Sequence, residues 1–327
     1  MKTTLTLSAV LWSTATLASA ETLTVYAPDY FGSEWGPGPA IAAAFGELCD
    51  GCELEYVTGD LLPRLKLEGA RTDADVAIGF NTDVMKDARE TGLFAPSNVD
   101  LSGLTLPIAW DDDIFVPFNW GYTAFVYDNT KIANPPTSFK ALVESDEDWN
   151  IAIQDPRTSA SGLALILWAE AVFGEDTPAM WAQFAPKIIT VTQGWSEAYG
   201  LFTDGEVDMV LSYTTSPAYH IIAEEDDTKS AALFSEGHYF MAETAAQLAS
   251  TDQPELAQKF MDFILSEPFQ SLIATANWSY PAALPMDQWP EAFSQLNYPE
   301  TALFYSEDEA AALKDEALDA WLSAFTQ

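Results

Sequence analysis

The residues best equipped for chemistry gather in one stretch, Gly194 to His220, GWSEAYGLFTDGEVDMVLSYTTSPAYH. Val207 to Tyr213 is apolar apart from Asp208 and Ser212, and three hydroxyls follow at once, Thr214, Thr215 and Ser216. The run predicts an interior strand, and Pro217 suits the first turn of a helix. A hydroxyl-rich strand-to-helix turn aims unpaired backbone N–H groups at whatever lies beyond the sheet. Trp195, Tyr213 and Tyr219 flank the turn with flat faces. A second hydroxyl cluster, Thr158, Ser159 and Ser161, opens another helix in DPRTSASG. A cap needs one hydroxyl, so the surplus suits an anion site. Aromatic faces hold a flat ring or a cation at ~0.5–2 kcal/mol per contact. The combination fits a small ligand that is flat and cationic at one end and anionic or hydroxylated at the other.

Other chemistries lack their residues. Neither a phosphate-binding G-x-x-x-x-G-K-[ST] nor a G-x-G-x-x-G after a strand is present. Ser196 lacks the glycine spacing of a nucleophile elbow, and no catalytic residue is assigned. The chain has two His, His220 and His238, both read as structural hydrogen-bonding residues, and no metal site is assigned. Cys49 and Cys52, in Cys-Asp-Gly-Cys, read as a local disulfide across a turn. The formal charge of −37, from 13 basic and 50 acidic residues, excludes nucleic acid and anionic membrane surfaces as natural partners. The Asp111–Asp113 triplet reads as a solvated turn.

Strands alternate with helices, which predicts an α/β fold. The first series places strands over Leu23–Tyr26, Leu54–Val57 and Asp75–Phe80, with helices over Ala40–Leu48 and Leu61–Leu67. Pro117 and Gly121 interrupt two apolar runs, Ile114–Trp120 and Ala124–Tyr127, as expected where a chain crosses between domains. A second series starts at Ile151–Ile153, and Phe234–Ala245 predicts a return crossing. Ligands of such sheets lie beyond the carboxyl ends of the strands, where Asp60 falls. An amphipathic helix over Thr251–Leu265 and a capping box at Ser306-Glu-Asp-Glu309 complete the reading. The first 20 residues read as a signal peptide: Lys2, an apolar stretch from Leu5 to Leu17, and Ala18-Ser19-Ala20 before the cut. The mature protein is expected to begin near Glu21.

WGPGP (35–39), FVPF (115–118), QDPRTS (154–159), GWSEAYGLF (194–202), LSYTTSPAYH (211–220), FSEGHY (234–239) and Asn277-Trp278-x-Tyr280-Pro281 form a set of distinctive segments. With AQKFMDFILSEPFQ (257–270), they make the chain resemble type II periplasmic solute-binding proteins of ABC importers, and among these the thiamine-binding group. The resemblance covers essentially the whole mature chain. It implies a two-lobe fold, each lobe a mixed or parallel sheet flanked by helices and joined by hinge crossovers. Residues 21–119 with 236–327 would form one lobe and 120–235 the other.

It also implies a monomer that captures thiamine, thiamine monophosphate or thiamine diphosphate in the periplasm, without a cofactor, for an inner-membrane permease and its ATPase. The binding positions it carries over are Ser159, Ala160, Trp195, Tyr213, Thr214, Thr215 and Ser216, with Tyr219 and Trp278 as aromatic walls. The family's Asp-Gly contact falls on a shorter loop here, at Gly59 and Asp60. Two other readings stand beside this one. One is a thiaminase-like enzyme needing a Cys nucleophile; the other is the same fold holding a polyamine or a ferric chelate through Tyr213 and Tyr219.

Overall fold

The computed structural model describes residues 21–49 and 51–325; the signal peptide read at 1–20 lies outside them. Strands β1 (Thr22–Ala27), β2 (Glu53–Thr58) and β3 (Val76–Asn81) form within a residue or two of the predicted spans. β1 runs parallel to both β2 and β3. The helix Gly38–Leu48, opened by its early Pro39, covers one face and buries Ile41 and Phe45. Those side chains meet Leu23 and Val25 of β1 and Phe260 and Phe263 of the amphipathic helix Pro254–Ile264. Each such side chain contributes ~1.5–3 kcal/mol on burial.

β4 runs unbroken from Val116 to Asp128, buried at every position but the last. The interruption expected at Pro117 and Gly121 does not occur. Pro117 lies where the pairing register slips by one residue, so its missing N–H is absorbed by a bulge. Gly121 simply pairs with Met241. After β5 (Ile151–Gln154), β6 (Ile188–Thr192), β7 (Met209–Tyr213) and β8 (Lys229–Ala231), the long strand β9 (His238–Gln247) returns beside β4. The order is β2-β1-β3-β9-β4-β7-β5-β6, with β8 pairing β4. The flanks are parallel, whereas β9 and β4 are antiparallel to each other and to their outer neighbours. The first half of β4 pairs with β9 and its second half, from Thr123, with β7. One strand thus belongs to both halves of the molecule.

The second half has its own core, with Phe125, Phe139, Trp168, Trp181 and Phe184 at its centre. Tyr239 and Met241 bring β9 into it, beside His238, whose Nδ1 donates to the Thr123 carbonyl at 2.7 Å while Nε2 accepts from the Phe234 amide at 2.8 Å. Burial pushes this imidazole down to about 4, so it is neutral and locked in one tautomer. The final helix, Glu307–Phe325, starts at the predicted capping box, where Ser306 N donates to Glu309 at 2.9 Å. Ala317 and Trp321 join the second core. Lys86–Asp308 (2.7 Å) and Lys314–Asp87 tie the same helix to the first half. Cys49 and Cys52 are bonded to each other at the end of the helix Gly38–Leu48. Among the described residues no helix is long and apolar enough to cross a membrane.

Candidate functional site

The carboxyl ends of β5 and β7 lie side by side, and the loop leaving each enters a helix. After β5, Asp155 draws the chain round: its carbonyl accepts from Ser159 N at 2.9 Å and its carboxylate pairs with Arg157. The Arg157 guanidinium, with help from the turn's N–H, holds this carboxyl below its ordinary range. The helix Ala160–Phe173 begins so close to β5 that a Cβ on Gly162 would meet the Gln154 carbonyl at 2.6 Å. Glycine is required there by the close approach. Thr158 donates to the Gln193 carbonyl at 2.7 Å, and Ser161 Oγ lies 3.0 Å from the Tyr213 hydroxyl. Ser159, extended at the cap position, makes no capping bond with its own side chain. The first N–H groups of the helix, next to Ala160, thus receive no bond from the Ser159 hydroxyl.

After β7 the turn is cross-braced. Trp195, first residue of the helix Trp195–Thr203, donates its indole N–H to Ser212 Oγ at 2.8 Å. Ser212 Oγ lies 2.7 Å from Ser216 Oγ, which also accepts from Tyr213 N at 3.2 Å. One face of Trp195 is stacked on Tyr199, ring centres 4.6 Å apart. Tyr199 in turn meets His220 Nε2 at 2.9 Å, and His220 Nδ1 meets Glu224 at 2.6 Å. His220 is therefore scaffold behind the turn. Thr214 N donates to the Tyr122 carbonyl at 2.9 Å, anchoring the turn to β4. Thr215 Oγ1 is buried with no hydrogen-bond partner among the described residues. Tyr219 meets Trp278 edge to face at 5.3 Å, and Trp278 holds a left-handed backbone with φ of 54°. A bulky residue in that conformation is uncommon and stores strain, a feature that collects at ligand clamps.

Facing these turns is a wall that the sequence pattern did not reveal. Tyr30 donates to Glu243 Oε1, Asn119 donates to Oε2 at 2.5 Å, and the Asn277 amide faces the same carboxyl. Burial raises the Glu243 carboxyl above its ordinary value. Burial, and then Glu243 itself, push up both the Tyr30 and the Tyr213 hydroxyls. Asn81, at the end of β3, reaches the Ala160 carbonyl at 3.5 Å and so touches the opposite half. One signal for Glu243 was available: it is the only acid in HYFMAETAAQ, an otherwise largely apolar strand.

The structure therefore brings Ser159, Ala160, Trp195, Tyr213 to Ser216, Tyr219 and Trp278 to adjoining turns. Gly59 and Asp60 stand at the end of β2: Gly59 N donates to Ala27 O at 3.1 Å, and Asp60 is exposed ahead of the helix Leu61–Glu68. No hydrogen bond joins either residue to the two hydroxyl turns among the described residues. Among the described residues one trio could offer ligand atoms to a metal ion, His220, Glu224 and Asp226, within 4.8 Å of one another. Asp226 is already paired with Lys229 at 3.1 Å, and His220 with Glu224.

A two-lobed α/β protein with such a polar and aromatic cleft is built to enclose a small solute. The chain belongs to the bacterial extracellular solute-binding protein family, whose model matches residues 36–271. It is 48% identical over 322 residues to the thiamine-binding periplasmic protein of Escherichia coli K12, covering 97% of this chain and 98% of that one. It is 44% identical to the thiamine-binding periplasmic protein of Brucella suis, over 98% and 97% of the two chains. A solved periplasmic thiamin binding protein superposes with a TM-score of 0.91 at 48% identity, over 94% of this chain and 97% of the other. A ferric binding protein from Campylobacter jejuni, at 16% identity and a TM-score of 0.76, shares the fold. The fold is the type II periplasmic-binding-protein fold.

Proposed function

We propose that this protein is the periplasmic receptor of an ABC importer, capturing thiamine and its mono- and diphosphate for an inner-membrane permease and its ATPase. The observation that carries the reading is the meeting of two hydroxyl-lined helix starts, joined by the 3.0 Å contact of Ser161 and Tyr213, beside the Tyr219–Trp278 pair. The hydroxyls and N–H groups at Ser159 and Thr214 to Ser216 take the hydroxyethyl or phosphate end, and the aromatic faces take the rings. The identity to thiamine-binding relatives supports the same ligand.

Residues 21–119 with 236–306 act as one lobe and 120–235 as the other, with the buried face of the final helix packed on the second. They close by hinge bending where β4 and β9 cross, with the final helix in contact with both. The role is binding rather than catalysis: a thiaminase-like reaction needs a thiol nucleophile, and the only two cysteines are bonded to each other. Calorimetric titration with thiamine and competition by its two phosphates test the reading. Saturable binding at micromolar or lower ligand is expected, and no saturation in that range would refute it.

A further inference from the structure

Glu243 sits at the centre of the molecule, where β9 pairs with Asn81 of β3 on one side and with Asn119 of β4 on the other. It is enclosed by protein on most sides and is still partly open. Its side-chain partners, Tyr30, Asn119 and the facing Asn277, are all neutral. Among the described residues no Lys, Arg or His forms a salt bridge with it, although ten such pairs are made elsewhere. Enclosing a carboxyl this far without a cation is costly, and neutral donors offset only part of that cost. The donors do fix its orientation, and Tyr213, from the hydroxyl turn opposite, lies close enough to feel its charge. A ligand held at that turn therefore lies within reach of the Glu243 charge.

We propose that Glu243 is the counter-ion of the ligand's cationic ring and the residue by which the cleft selects a positively charged heterocycle over a neutral one of the same shape. The assignment rests on the thiamine reading for the identity of the cation. Calorimetry on the full mature chain tests it with two ligands: thiamine, and its neutral thiophene isostere in which carbon replaces the quaternary nitrogen. The wild type binds thiamine at least tenfold tighter than the isostere. Glu243→Gln keeps an oxygen for a neighbouring donor, weakens thiamine at least tenfold and leaves the isostere within about twofold.

Unchanged discrimination in Glu243→Gln, or equal loss of both ligands, overturns the assignment. Glu243→Asp keeps the carboxylate on a shorter side chain, so it retains a preference for thiamine over the isostere. Loss of that preference also overturns the assignment, and this variant serves if Glu243→Gln does not fold. If the wild type binds neither ligand, the thiamine reading falls by itself. Glu243 is then tested with the 3,4-dimethylthiazolium cation against neutral 4-methylthiazole, and no preference for the cation overturns it.

Discussion

Replacing Asp83 by Asn should change how the stability of this protein depends on pH, in a direction set by where the carboxyl is buried. Asp83 follows β3 in a turn where its own N–H donates to Asn81 Oδ1 at 2.9 Å. It is 2% exposed, and it accepts from the Tyr239 hydroxyl at 2.7 Å and from Asn81 Nδ2 at 3.3 Å. Burial pushes its carboxyl up to about 7, against the opposing pull of Tyr239, Lys314 and Asn81. In the unfolded chain the same group loses its proton near ~3.9. The folded state therefore binds the extra proton between those values. The stability this contributes is complete below ~3.9 and is lost as pH rises through about 7.

About 3 pH units at ~1.36 kcal/mol each make roughly 4 kcal/mol across the window. Asn carries no charge at any pH and can still accept from Tyr239. Urea unfolding of both proteins at intervals from about pH 4 to 8 isolates the effect, because every other titrating group cancels in the difference. The stability of Asp83→Asn relative to wild type should climb by about 4 kcal/mol over that range. A difference that stays flat with pH would show that Asp83 titrates alike in both states and would refute the reasoning.

Trp195→Ala and Tyr213→Ala are each expected to weaken thiamine binding tenfold or more, since one desolvated stack approaches ~2 kcal/mol; unchanged affinity in calorimetry would remove that residue from the site. His238→Ala leaves the Thr123 carbonyl and the Phe234 amide buried without their partner. It should cost about 2–4 kcal/mol at pH 7 in urea unfolding. The neutral imidazole contributes stability that is present above ~6.5 and lost as pH falls through about 4, so the penalty should shrink toward pH 4. Gly162→Ala forces a contact with the Gln154 carbonyl and should cost about 1–3 kcal/mol. By displacing Ser159 it should also weaken thiamine monophosphate, and unaltered stability and affinity together would show that the helix start can yield.

Both hydroxyl turns were legible in the chain. Caps, prolines and apolar periodicity act within a few residues, so LSYTTSPAYH and DPRTSASG declare a strand or loop running into a helix wherever they are placed. The parallel flanks, the amphipathic helix Pro254–Ile264 and the Ser306 capping box are local in the same sense. Pro117 misled because its cost depends on whether a neighbour needs its N–H, and the bulge opposite Thr244 removes that need.

The other wall of the cleft is a different kind of fact. Tyr30 and Glu243 stand 213 positions apart, and Asn119 and Glu243 stand 124 apart. What joins them is the register of β9 against β3 and β4, and a slip of one residue would turn Glu243 to the opposite face. The sequence by itself determined the elements, the hydroxyl turns and, through resemblance, the class of ligand. Only the tertiary structure decided which carboxyl faces those turns, because strand register is settled by long-range packing that no local pattern contains.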